Sequence, residues 1–336
     1  MERCWRTSGR KPAMMAALCA LVLVLLTPAS AEAFGTIDGL GQRREHERIT
    51  RAALACPAGT PSTGDCFEPK SIDQVAGKAG TFGAVGAPDS DEVFNAAAHC
   101  DDADFLSGPY PRTRAQATDA LLNCVRHLRS RFNEGANTAA GLLDTANRIR
   151  PSEVNLSSDC TFFLGVPGRA KCNAIEGFGR ALHGAQDFYA HSNWADEGDA
   201  ARPTGPSNPP GLNRPAPTSI LDLRSSSVPA IPSDLTTGCF IIRDQDPGVG
   251  ECASRVTHAA LNKDKGLVDP VSGSTVDPTT PRGRVLRNFD KAVQGAIIET
   301  RRQWTDFRAE LVSRYGSTRA SLMICALTRD DPIRDC

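Results

Sequence analysis

Apolar residues recur at helical spacing through most of the chain. Over residues 44–56, Ile49, Ala52, Ala53 and Cys56 share one face; over 112–132, Ala115, Ala120, Leu121, Cys124, Leu128 and Phe132 do the same, and Leu142 and Leu143 continue the pattern over 138–149. Two further helices are predicted over 174–194 and 285–311, the second with Val285, Phe289, Val293, Ile297 and Trp304 along one stripe. Strand-like alternation is nearly absent, its best candidate being the short run CFIIR at 239–243. The predicted fold class is therefore mainly α, with long loops. Two stretches lack periodicity: a Gly-rich connection over 58–91 and a Pro-, Ser- and Gly-rich one over about 201–236. The second reads as a long surface loop. Helices of similar character and histidines lie on both sides of it, so it is an insertion within one domain of residues 34–336.

Composition changes little and excludes much. The chain has 336 residues, 40% hydrophobic and 23% charged, with 38 Lys+Arg against 39 Asp+Glu. Those values fit a soluble globular protein, and they exclude collagen-like, wholly disordered and membrane-embedded chains. A formal charge of −1 supplies no field to gather nucleic acid, and Trp and Tyr are scarce, which makes a single-strand nucleic-acid groove the poorer expectation. Residues 1–33 read as an export signal: Arg3, Arg6, Arg10 and Lys11, then an apolar run over 14–26, then Ala31-Glu32-Ala33. The apolar run is shorter than the roughly 20 residues a spanning helix needs. Cleavage after Ala31 and after Ala33 are both open at this point. Of 12 cysteines, ten remain in the secreted chain, an even number that reads as five disulfides between sequence neighbours. No CxxC pair occurs among them, so neither a thiolate zinc ribbon nor a thioredoxin-like site is expected.

The six histidines carry the candidate chemistry. In GRALHGAQDFYAHSNW, His183, Asp187 and His191 are spaced i, i+4 and i+8, which at about 100° per residue places them on one helix face. Two imidazoles and a carboxylate on one stripe suit zinc, with Asp187 able to bridge a pair of ions; a buried polar face is the plainer alternative. His99 lies in AHCDDADF with Asp102 and Asp104 close behind it and Asp89 ten residues before. His46 opens a helix after FGTIDGLGQRRE, and His258 lies in THAALNKD with Asn262 at +4 and Asp264 at +6. His127, amid basic residues, reads as a surface or packing residue.

Together these segments resemble the zinc-dependent phospholipase C and single-strand nuclease superfamily. Phe34 and His46 match its mature N-terminal residue and following HxxI helix, Pro88-Asp89-Ser90-Asp91 its PDxD, His99 to Asp104 its HxxDxD, and His183, Asp187 and His191 its metal helix. The spacing of four before His191, and the HAALNKD segment after a long insertion, are similar to a narrower group, the CinY and heterokaryon-incompatibility protein C type secreted proteins. The phospholipases close their last site with HxxxE, where this chain has Asn262, leaving Asp264 as the substitute. The resemblance implies an all-α fold holding two or three zinc ions on Phe34, His46, Asp89, His99, His183, Asp187, His191, His258 and Asp264. Phe34 would bind through its own α-amine, which only cleavage after Ala33 exposes. It further implies a secreted zinc-dependent phosphoester hydrolase, acting on a phosphoester or phospholipid, with Asp89 as ligand and catalytic base. The competing expectations are a single-strand nuclease and a non-catalytic secreted protein whose zinc ions are structural.

Overall fold

The computed structural model describes residues 34–39, 42–241 and 244–336. The expected export signal and its cleavage site lie outside the described residues, apart from Phe34 itself. In chain order the helices that build the fold are α1 (Glu45–Leu54), α2 (Pro69–Ala76), α3 (Pro88–Asp91), α4 (Ala96–His99), α5 (Arg114–Thr138), α6 (Ala170–His191), α7 (His258–Leu261), α8 (Asn288–Tyr315) and α9 (Ser317–Thr328). Single-turn helices at Pro151–Val154, Pro281–Arg284 and Pro332–Asp335 join them. The strands described are two antiparallel pairs of two residues each, Asp38–Gly39 with Gln42–Arg43 and Leu267–Val268 with Thr275–Val276. The mainly α class holds.

Helix α6 is the axis of the fold. It is buried along nearly its whole length and on almost every side, as expected of a core helix rather than a surface one, with the polar stripe of His183, Asp187 and His191 buried too. Helix α5 starts at a capping box, in which the Thr113 side chain accepts from Gln116 N while the Gln116 side chain accepts from Thr113 N. Its Leu121, Val125, Leu128 and Phe132 face the core. Helix α8 contributes Phe289, Val293, Ile297, Trp304, Phe307 and Leu311. Where the three meet, Phe178 and Phe132 pack against Phe307, and the Trp304 indole N–H donates to Gly64 O at 3.0 Å. The crossing of α5 and α6 is so close that a Cβ on Gly177 would lie 2.4 Å from Gly135 N and 2.6 Å from Arg131 O.

The expected five disulfides are present, each between sequence neighbours: Cys56–Cys66, Cys100–Cys124, Cys160–Cys172, Cys239–Cys252 and Cys325–Cys336. No described helix is long and apolar enough to cross a membrane.

Several expectations change. The pattern over 112–132 is α5, which runs on to Thr138; the helix expected over 138–149 is absent, its place taken by a 3-10 turn at Ala139–Leu142 and by an extended bridge between Leu143 and Ile149. The CFIIR run is no strand among its described residues: Cys239 makes one isolated bridge to Thr257. The Gly-rich connection over 58–91 holds α2 and α3. The Pro-rich stretch is irregular and much of it is exposed, as expected of a surface loop, yet parts of it turn inward. Ile220, Leu221, Leu223 and Leu235 enter the core, while the Asn193 and Asn208 amides donate to carbonyls along it (Pro210 and Asp234, Asp199 and Arg202). Side-chain amides here do the work of backbone ladders, so no period marks the segment.

Gly177→Ala should destabilise the fold by about 1–3 kcal/mol, because the new methyl meets main-chain atoms that move only by parting α5 from α6. Urea unfolding is the measurement, and an unchanged midpoint contradicts this account of the crossing.

Candidate metal centre

Four short pieces of chain deliver the polar groups that gather around α6. His46 comes from the first turn of α1, Asp89 from α3, His99 from the last residue of α4, and His258 from the first residue of α7, whose N-terminus is capped by Thr257 Oγ1 accepting from Ala260 N at 3.1 Å. Helix α6 supplies His183, Asp187 and His191 on one stripe, as their spacing predicts. A Cβ on Gly184 would come within 2.4 Å of Ala98 O, and this close approach is what lets α4 lay His99 against His183. The segment bearing Asp89 is anchored by the buried Arg180 guanidinium, which donates to both Asp91 oxygens at 2.7 Å and to Glu92 Oε2 at 2.9 Å.

Three buried triads result: His46–His183–Asp187, Asp89–His99–His183 and Asp101–His191–His258. His183 and Asp187 tie the first two together. Asp187 Oδ1 lies 3.2 Å from His46 Nε2, and its Oδ2 lies 3.1 Å from His99 Nδ1 and 3.0 Å from His183 Nε2. Asp89 Oδ1 lies 3.4 Å from His183 Nε2, and Asp101 Oδ1 lies 3.3 Å from His191 Nδ1.

The hydrogen bonds on the far side of each ring fix where the protons sit. A carbonyl or carboxylate oxygen only accepts, so the ring nitrogen facing it carries the hydrogen. His183 Nδ1 donates to Val85 O at 2.8 Å, His99 Nε2 to Glu92 O at 3.3 Å, and His258 Nδ1 to Asp244 Oδ2 at 2.6 Å. His46 Nδ1 donates to Gln186 Oε1 at 2.7 Å, and the Gln186 amide donates in turn to Thr50 and Thr300 hydroxyls, which turns its oxygen to His46. In each neutral ring the remaining nitrogen points a lone pair inward. His183 Nε2 then faces His99 Nδ1 at 2.9 Å, His258 Nε2 faces His191 Nε2 at 3.0 Å, and His46 Nε2 faces a carboxylate. Lone pairs at such distances repel unless a cation, a proton or a metal ion, sits among them. His46 Nε2, Asp89 Oδ2, Asp101 Oδ1, Asp187 Oδ1 and His191 Nδ1 are correspondingly buried with no hydrogen-bond partner. The donor set of imidazole nitrogens and carboxylate oxygens, with the His46, His99, His183 and His258 rings oriented by outer acceptors, fits divalent metal ions of the zinc type.

No protein-family model, curated protein or solved structure matches this chain. The residues themselves therefore carry the functional reading.

Not every expected ligand falls into place. Asp264 is fully buried with neither oxygen hydrogen-bonded, but it is not in the triad with His191 and His258. Asp101, which no spacing marks, holds that position. Asp102 and Asp104, the more regular HxxDxD positions, turn away: Asp104 pairs with Arg112 at 2.8 Å and with Tyr110 at 2.5 Å, and Asp102 with Arg255 at 3.4 Å. Asp102 and Asp104 also approach Cys239, but its sulfur is committed to Cys252. Asp244 was missed as well, since nothing in its irregular segment marks it. Phe34 is buried edge-on to His46 with ring centroids 5.8 Å apart, so its expected neighbour is in place; the bond that would free its α-amine lies outside the described residues. His127 stays off the centre, 3.3 Å from Glu92.

Without metal, protons serve as the cations. Burial pushes the His99 imidazole down, and the Asp187 hydrogen bond with the Asp187, Asp89 and Asp101 charges reverses this to about 9. Burial likewise opposes His258, and Asp244 carries it to about 10. His191 is driven well down by burial and by the neighbouring His258 charge. Burial raises Asp101 to about 7, only partly offset by His258 and His99.

A raised folded-state value stabilises the metal-free fold below the unfolded histidine range, about 6.5, and that contribution is lost as pH climbs through the folded values. A metal ion such as zinc held on these atoms would displace those protons, so its binding would strengthen over the same window. Lys171 and Lys263, depressed by burial to about 7 and about 8, run oppositely, and comparison with chelated protein at each pH keeps both lysines in both arms of the measurement. The rise in Tm on adding zinc should therefore grow between about pH 6.5 and about pH 9, measured against chelated protein; a pH-independent increment contradicts the assignment. Asp244→Asn, which leaves His258 without its anionic acceptor, should weaken one zinc position roughly 10- to 100-fold in chelator competition.

Proposed function

We propose that this chain is a secreted zinc-dependent phosphoester hydrolase of phospholipase C type, built on a multi-ion centre around α6. The observation that carries the reading is the set of buried ring nitrogens facing one another at 2.9 Å and 3.0 Å, with the His99, His183 and His258 rings held from behind by an acceptor. Residues His46, His183 and Asp187, then Asp89, His99 and His183, then Asp101, His191 and His258 would hold the ions. Bound there, divalent ions lower the pKa of water and neutralise phosphate oxygens.

The chain's own residues divide the remaining work. Asp89 is 9% exposed and His99 7%, whereas His46, His183 and Asp187 are fully buried, so solvent and substrate approach from the Asp89 side. Asp89 would serve as ligand and as the base that takes a proton from water, a role its Oδ2, which has no hydrogen-bond partner, leaves open. A cleft of about 500 Å³ adjoins the third triad, lined by Phe94, Ala96, Phe240 and Ile241 together with the Asp102 and Glu251 carboxylates, and the Phe240 ring lies 5.4 Å from that of His258. Its apolar wall suits the non-phosphate part of a lipid-like ester better than a nucleotide backbone, which calls for basic residues. The five disulfides fit export to an oxidising compartment.

The complete burial of the His46–His183–Asp187 triad favours a second reading, in which the ions are structural and the protein acts by interaction alone. One series separates the two. Zinc per chain and turnover of a chromogenic phosphodiester are measured for wild type, His183→Ala and Asp89→Asn. The hydrolase reading expects His183→Ala to lose zinc and activity together, and Asp89→Asn to keep most zinc while losing at least about 100-fold in rate. Zinc-replete wild type inert toward all phosphoesters leaves the structural reading standing.

A further inference from the structure

His99 and Asp101 are separated by one residue, yet they serve different triads at different levels of the centre. The turn between them makes this possible. Helix α4 ends at His99, Cys100 comes next in the left-handed region (φ 56°), and Asp101 N donates back to Ala96 O at 3.0 Å. This is the six-to-one closure of a helix end, a position that glycine usually fills because it alone adopts the conformation without strain. Here a cysteine fills it. Its side chain is fully buried and bonded to Cys124, midway along α5 and equally buried. Helix α5 in turn crosses α6 at the Gly135–Gly177 contact, and α6 carries His183 and His191, the partners of His99 and Asp101. A rigid path thus runs from the tight turn through the disulfide and α5 to the helix holding the opposite ligands.

We propose that the Cys100–Cys124 disulfide is a positioning device for metal binding, setting His99 and Asp101 jointly against α6 and so coupling the Asp89–His99–His183 and Asp101–His191–His258 triads. This rests on the metal-centre reading. Of the other four, Cys239–Cys252 reaches the centre through the backbone, where His258 N donates to Cys239 O at 2.9 Å, and none has a cysteine adjoining a triad residue in sequence.

The test uses the full secreted chain. Zinc affinity by chelator competition and the zinc-induced rise in Tm are compared for wild type, Cys100→Ala/Cys124→Ala, Cys100→Gly/Cys124→Ala and the control Cys325→Ala/Cys336→Ala. The glycine pair keeps a residue suited to the left-handed turn and removes only the tether. The expected result is zinc affinity lowered roughly 10- to 100-fold in both Cys100 variants, as for loss of a group that orients ligands. Their zinc-induced Tm rise should also shrink, while the control matches wild type. A purely stabilising disulfide would lower Tm equally with and without zinc and leave the increment unchanged. Wild-type affinity and increment in both Cys100 variants overturn the proposal, as does failure of both to fold, which would make the tether a requirement of the fold itself. Wild type that binds no zinc overturns the metal-centre reading instead.

Discussion

A single buried carboxylate organises this protein. Asp187 has no exposure to water, and His46, His99 and His183 approach it at 3.2, 3.1 and 3.0 Å. An isolated carboxylate at that depth would be held at a cost of many kcal/mol. Opposing charge supplies the compensation: burial alone would raise its pKa, and the His183 and His46 imidazoles outweigh burial and carry it well below the usual carboxylate range. Because the three imidazoles around it belong to α1, α4 and α6, the charge is neutralised only when three separate helices have docked. Local electrostatics and global packing are therefore one condition.

The same logic repeats outward. The imidazoles facing Asp187 need their far nitrogens satisfied, and the acceptors are supplied by the Val85 and Glu92 carbonyls and by Gln186. The segment from Val85 to Glu92 needs its own fixing, which Arg180 provides from α6. Another buried charge network, Asp196 with Lys263 at 3.0 Å and Arg282 at 2.8 Å, holds the chain just beyond α7. Burial of so many polar groups is tolerable only where each is paired. Of those that stay unpaired, the histidine and aspartate atoms other than His127 Nε2 gather at the triads and at Asp264, where the pattern points to cations.

How much of this could be read from the sequence depended on whether the signal was periodic. Helix α6 announced itself twice, by apolar spacing and by His183, Asp187 and His191 at intervals of four, because a helix turns a sequence interval directly into a shared face. The long helices α5 and α8, and the pairing of neighbouring cysteines, were legible for similar reasons. Asp101 was not. A left-handed residue at Cys100 redirects the chain immediately after it, so the regularly spaced Asp102 and Asp104 point away and their irregular neighbour points in. Asp244 and the apolar residues of the Pro-rich stretch were invisible for the opposite reason: irregular backbone there, held in the Pro-rich part by amide side chains, leaves no period to detect. Asp264, expected as a ligand beside His258, is buried but lies outside the triad that holds His191 and His258.

Placing His183, Asp187 and His191 on one stripe of α6 also limits how this sequence can drift in length. Each residue of a helix advances about 100° and about 1.5 Å. An insertion or deletion of one residue between His183 and His191 would rotate one part of the stripe by that angle and disengage its triad, while Gly184 would lose its place against Ala98. The irregular stretch over about 201–236 has no such phase to keep. Descendants of this chain should vary in length there and keep the interval from 183 to 191 fixed, making that interval the measure by which distant relatives are to be aligned.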